Sequence, residues 1–233
     1  MVVTNSGLIT TGSTTAFSGS TGVDTINNSG RIVGNVSLGG GNDRYSGAVG
    51  RVDGTVFGSS GEDVIIGGTR NERFEGGNDN DTLFGNGGID ILFGDDGLDT
   101  LNGGIGNDIL DGGLRNDVLI GWLGKDLMTG GTGNDIFKFT AKTHSVVGAN
   151  ADRILDFDDG GAGDKIDISA LFGATMVYRH NLAFTAAGQV RINDVAGVDV
   201  IVEVNTGGTL APDFSIRLVN TTLASMNAGD FVL

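Results

Sequence analysis

The chain has no cysteine, a single proline, and no apolar run approaching the ~18–20 residues of a membrane-spanning helix. Without cysteine there is no disulfide framework and no thiolate metal site. One proline against 43 glycines excludes collagen, which needs abundant proline and glycine at every third residue. Positive charge is scarce as well: 14 Lys and Arg face 29 Asp and Glu, for a net charge of −15. Such a chain repels nucleic acid and anionic membrane surfaces and attracts cations. Residues Met1 to Gly7 show neither the basic start nor the apolar stretch of a Sec-type signal. No His-Glu-x-x-His, Gly-x-Ser-x-Gly or phosphate-binding Gly-Lys-Ser/Thr motif occurs, and the two histidines, His144 and His180, are far apart in sequence. The chain is therefore expected not to be an enzyme. At 233 residues it can bury a core, and with no disulfide to staple it, a metal is one candidate for added stability.

What the sequence has in abundance is a period. Glycine recurs at 58, 67, 76, 85, 94, 103, 112, 121 and 130, always nine residues apart. Five residues after each comes an acid: Asp63, Glu72, Asp81, Asp90, Asp99, Asp108, Asp117, Asp126 and Asp135. Two further on comes an apolar residue: Ile65, Phe74, Leu83, Leu92, Leu101, Leu110, Leu119, Met128 and Phe137. The first six residues of a unit suit a tight turn, because glycine tolerates positive φ. The loop glycines Gly61, Gly77, Gly88, Gly97, Gly104, Gly106, Gly113, Gly124, Gly131 and Gly133 are expected to offer backbone carbonyls. The last three residues suit a three-residue strand with its middle side chain inward.

Two units then make one turn of a flattened spiral, with strands stacked in parallel on two facing sheets. Units two apart share an edge. Asp63, Asp81, Asp99, Asp117 and Asp135 should line one side, and Glu72, Asp90, Asp108 and Asp126 the other. Stacked carboxylates repel unless a cation lies between them. Paired carboxylates and backbone carbonyls are hard oxygen ligands on flexible loops, which favours Ca²⁺ over Mg²⁺ or Zn²⁺.

The unit resembles the nonapeptide of the RTX (repeats in toxin) family, Gly-Gly-x-Gly-x-Asp-x-apolar-x, and matches it best at 103–111 and 130–138. The resemblance implies an all-β, right-handed parallel β-roll that binds calcium, with about five to seven ions expected in the main roll. Those ions would carry about 10–14 positive charges against the net −15. Departures are Arg70 and Arg115 at the fourth position, where their guanidinium groups could compete with an ion, and Glu72, which makes Glu72/Asp90 the weakest expected site.

Three segments follow from this reading. Residues 1–57 are degenerate solenoid turns, because Gly22-Val23-Asp24-Thr25-Ile26 and Gly41-Asn42-Asp43-Arg44-Tyr45 echo Gly61-Glu62-Asp63-Val64-Ile65, so Asp24 and Asp43 should join the Asp63 edge. Residues 58–138 are the roll. Residues 139–233 are a β-rich C-terminal cap with longer apolar runs, covering the open roll end. Within the cap, 151–157 and 164–171 resemble the region after the repeats in serralysin-type proteases and alginate epimerases, and Asp152 and Asp156 are read as surface or turn-capping charges, with an extra Ca²⁺ site as the alternative. The last four residues, Asp230, Phe231, Val232 and Leu233, are similar to an uncleaved C-terminal signal for type I secretion. These resemblances imply a protein of a Gram-negative bacterium, secreted or at the cell surface, with calcium and the type I machinery as partners. Extracellular polysaccharide is a further possible partner, for which Trp122 could stack on sugar, although packing against a neighbouring loop or the cap is the plainer role for that residue. Nucleic acid and a membrane span are not expected. The apolar outward positions Ile91, Ile109 and Leu127 could lie under a cap or partner.

Overall fold

A computed structural model of the chain describes residues 1–158, 163–171, 177–178, 182–195, 199–207, 209–221 and 226–232. It is a β-solenoid of two facing sheets, with ten strands in one and thirteen in the other. The ten-stranded sheet runs from Val2–Asn5 through Thr25–Asn28, Arg44–Ser46 and Val64–Ile66 to Phe231–Val232, parallel throughout. The thirteen-stranded sheet starts at Leu8–Ser18 and is parallel as far as the Asp152–Ile154/Phe214–Val219 pair. Beyond it, Phe214–Val219, Asp199–Asn205 and Gln189–Val195 form an antiparallel extension. Both sheets pass through residues 57 and 139 without a break, so the early turns and part of the cap belong to one continuous roll.

The nine-residue period sets the register. Leu83 pairs with Leu101 and Leu101 with Leu119, while Leu92 pairs with Leu110 and Leu110 with Met128. All nine repeat apolar residues are buried. Ile26 and Tyr45 continue one ladder upstream, and Ile154 and Leu218 continue the other downstream.

The strands are longer than the three residues expected. Thr82–Gly87, Ile91–Asp96 and Thr100–Ile105 each have six, running through the next unit's first glycine. The leading glycine is extended, and the left-handed φ falls on the second position (Gly77 +115°, Asn86 +71°, Trp122 +74°) and the fourth (Gly106 +157°, Arg115 +81°). The turn is thus tighter, and the ladder correspondingly longer, than glycine content alone implies. Two single-turn 3₁₀ segments, Ser169–Leu171 and Ala228–Asp230, are the only helical elements among the described residues.

Candidate metal centres

The repeat acids stand at the start of each strand, where the chain leaves the loop, so the sheet register stacks them. On one edge the backbone N–H of Asp24, Asp43, Asp63, Asp81, Asp99, Asp117 and Asp135 donates to Oδ1 of the acid one turn on, ending at Asp164, over 2.6–2.9 Å. On the other edge Glu72, Asp90, Asp108 and Asp126 do the same, ending at Asp152, over 2.7–2.9 Å. The two edges are those the period implies, and Asp24 and Asp43 join the first as expected.

Each carboxylate has a second oxygen. Oδ2 of Asp43, Asp63, Asp81, Asp90, Asp99, Asp108, Asp117, Asp126, Asp135 and Asp152 is buried and has no hydrogen-bond partner. The leading glycine of each unit faces that atom. A Cβ on Gly58 would lie 2.4 Å from Asp63 Oδ2 and 2.4 Å from the Gly76 carbonyl oxygen. On Gly85 it would lie 2.4 Å from Asp90 Oδ2 and 2.5 Å from the Gly103 carbonyl, and on Gly94 2.5 Å from Asp99 Oδ2 and 2.4 Å from the Gly112 carbonyl. An orphaned carboxylate oxygen and a backbone carbonyl from the next turn therefore face one small space that any side chain would fill.

Burial pushes these acids upward in pKa, and their stacked neighbours push further. Asp81, Asp117 and Asp152 rise to about 8, Asp63 and Asp126 to about 7, and Asp90 and Asp99 to about 6. An ionised carboxylate that is buried without a compensating charge is costly, so each site calls for a proton or a cation.

Other positions differ. Asp24 has both oxygens engaged, Oδ1 by the Met1 ammonium at 2.5 Å and Oδ2 by the Ser20 N–H at 2.7 Å. Glu72, one carbon longer, bends back to accept from the Gly68 N–H at 3.1 Å. Arg115 turns outward to Asp96 at 2.9 Å, leaving the Asp117 carboxylate uncontested. Asp152 is not a surface charge: it is fully buried and ends the second stack. Asp156 does cap a turn, accepting from the N–H groups of Gly130 and Gly131. Asp164, which ends the first stack, was not foreseen. The signal was present, because Asp164-Lys165-Ile166 and Asp152-Arg153-Ile154 both place an apolar residue two after the acid. A second ladder at the fifth position was also missed, in which Asn71, Asn80, Asn107 and Asn116 side chains accept from the N–H of Ile89, Leu98, Lys125 and Asn134.

No group of three or more His, Cys, Asp or Glu side chains that could hold a metal occurs among the described residues. The donor set is instead one carboxylate oxygen per loop plus backbone carbonyls. All are hard oxygens, the chemistry that fits Ca²⁺, which takes six to eight such ligands in flexible geometry.

The remaining candidates are placed differently. The Trp122 ring packs 4.6 Å from that of His144, which is buried, so packing against the segment after the repeats describes it. His180 and Leu233 lie outside the described residues. Phe231 and Val232 form the last strand of the ten-stranded sheet, and Asp230 caps the preceding 3₁₀ turn through the Asn227 N–H at 2.7 Å. Ile109 is exposed, while Ile91 and Leu127 are half-buried. No helix among the described residues is long and apolar enough to cross a membrane.

A parallel β-roll with carboxylates stacked along both edges defines an RTX-type module. More particularly, the chain belongs to the peptidase M10 serralysin C-terminal family, whose match spans residues 9–233. Among solved structures it is similar to two subunits of the Azotobacter vinelandii mannuronan C5-epimerase. The AlgE6R3 subunit is 26% identical, over 72% of this chain and 80% of that one, with a TM-score of 0.44. The AlgE6R2 subunit is 24% identical, over 72% and 91%, with a TM-score of 0.39. No curated protein matches.

Proposed function

We propose that this chain is a secreted calcium-binding module whose roll folds when Ca²⁺ occupies the spaces between successive turns. The observation that carries this reading is the row of ten buried Asp Oδ2 atoms without partners. Asp43, Asp63, Asp81, Asp90, Asp99, Asp108, Asp117, Asp126, Asp135 and Asp152 would hold the ions together with the facing glycine carbonyls. Cytosolic calcium is too scarce to fill extracellular-type sites with Kd of ~10⁻⁴–10⁻³ M, so the roll would stay open until export. Calcium outside the cell would then favour the native state by mass action. Phe231 and Val232 sit within the folded sheet and Asp230 in the 3₁₀ turn before them, which suits a signal read by a type I exporter from the unfolded chain.

The family to which the chain belongs favours a second, compatible reading, in which it serves as the C-terminal folding and secretion part of a larger secreted enzyme.

Far-ultraviolet circular dichroism of chelator-treated protein during a Ca²⁺ titration, with Mg²⁺ in parallel, tests the calcium reading. A cooperative gain of β-structure near millimolar Ca²⁺, and not with Mg²⁺, is expected. Full β-structure in chelator would overturn it.

A further inference from the structure

On the outer face of the thirteen-stranded sheet, residues 145–151 form a strap tied to the strand Phe214–Val219. Ser145 Oγ donates to the Ser215 carbonyl at 2.6 Å, and Ser215 Oγ donates to the Val146 carbonyl at 3.4 Å. Between strap and sheet lies a groove of about 520 Å³, with Lys125, Arg153, Arg217, Glu203 and Ser215 among its lining. Arg153 and Arg217 are direct register partners across parallel strands, so the two side chains leave the same face of the sheet as neighbours. Like charges in that relation repel.

Only one of the two has a hydrogen-bonded counter-ion. Arg217 Nε donates to Asp199 Oδ2 at 2.7 Å, and Glu203 is taken by Arg191 Nε at 2.7 Å. The Arg153 side chain makes no hydrogen bond or close ion pair among the described residues, and its Nε is buried without a partner, although its charge does act on Asp199. Lys125, at the mouth of the same groove, has no ion pair among the described residues either. In a chain with 29 acids to 14 bases, two bases left without a hydrogen-bonded acid in one groove stand out. A buried donor without an acceptor is a cost.

We propose that this groove binds the carboxylate of a small hydroxylated acid, of roughly the size of one or two sugar rings. The planar fork of Arg153 takes the carboxylate oxygens, Lys125 adds a second positive charge, and Glu203 and Ser215 present oxygen atoms to ligand hydroxyls. None of the groove's lining residues is itself a stacked aspartate, but Lys125 and Arg153 flank Asp126 and Asp152 in sequence, so binding is tested on the calcium-loaded protein.

Calorimetric titration of the calcium-loaded protein with sodium D-glucuronate, and with D-glucose as the uncharged counterpart, at fixed ionic strength, tests this. Glucuronate should bind and glucose should not. Arg153→Gln should weaken glucuronate binding by about tenfold or more, while leaving the ligand-free melting temperature close to that of the parent, because the Arg153 Nε gives up no hydrogen bond and the attraction lost at Asp199 is set against repulsion relieved at Arg217. Equal binding of the two sugars, no binding of glucuronate at about 10 mM, or unchanged binding by Arg153→Gln would each overturn the proposal.

Discussion

The leading glycines of the repeat serve close approach. Gly103 is extended, yet a Cβ there would meet Asp108 Oδ2 at 2.5 Å. Gly103→Ala should therefore cost about 1–3 kcal/mol by overpacking and raise the calcium midpoint, both read from denaturant curves at fixed calcium. Gly12→Ala, with no heavy atom within 4 Å, is the matched control and should have little effect. Asp108 itself should show a change of sign. With calcium, Asp108→Asn removes a ligand and destabilises. In chelator at neutral pH it removes a buried acid whose ionised form has no balancing charge, and it should stabilise whatever roll is present. A loss of stability of the same size in both conditions would mean that the carboxylate acts without calcium, through the charge that strengthens the hydrogen bond it accepts from the Asp90 N–H.

At the scale of the strand and its loop, pH becomes the probe. A carboxyl whose folded pKa is raised holds its proton more tightly in the roll than in the unfolded chain. Its burial costs least below the unfolded value of 3.8, and that advantage is lost as pH rises through the folded value, about 8 for Asp81 and Asp117. Asp53 and Asp199 run the other way. Their arginine and backbone partners lower the folded pKa, so their contribution is lost as pH falls below that range. In chelator, β-structure should thus be greatest near about pH 4–5 and decline towards pH 8. Saturating calcium should remove the decline, because a bound cation stabilises the ionised form. A chelated roll that gains structure between pH 5 and 8 would contradict the burial seen here. The core ladder gives a reference independent of metal: Leu101→Ala, at a fully buried position, should cost about 2–5 kcal/mol in denaturant unfolding at any calcium level that folds the protein.

The same scale shows what could be read from the sequence. The nine-residue period sufficed for the two edges, the inward apolar ladder and the pairing of alternate units, because one repeat unit is one half-turn. It could not give strand length, since whether a glycine continues a strand depends on the neighbouring turn and not on its own propensity. Asp152 and Asp164 escaped because the stack reaches them across 26 and 29 residues rather than 18. The inserted residues leave the ladder and return to it, so periodicity is lost while register is kept. The Arg153 groove is invisible in sequence for a related reason: only the pairing of Asp152–Ile154 with Phe214–Val219, far along the chain, puts Arg153 beside Arg217.

Across the whole molecule the two ends of the roll have different means of folding. Each repeat strand finds its sheet partner 18 residues away and brings a buried carboxylate with it. By contrast, Gln189–Val195, Asp199–Asn205 and Phe214–Val219 are joined in antiparallel order by short connections and bury Val190, Ile192, Val200, Val202, Val204, Phe214 and Ile216 with no stacked acids between them. Local pairing closes smaller loops and forms sooner, and this sheet needs no cation to bring its strands together. It also presents the edge of Phe214–Val219 to Asp152–Ile154, the strand that begins with the last acid of the second stack. Calcium-driven folding should therefore start from this end and run towards the N-terminus, each filled site supplying the template for the one before it. Hydrogen exchange at sub-saturating calcium should show protection first in 189–219, then in 118–154, and last in 25–66. Removing residues 139–233 should abolish or greatly delay the transition. Protection that appears first around Asp43 and Asp63, or calcium-driven folding unchanged by the deletion, would place the nucleus in the repeats themselves.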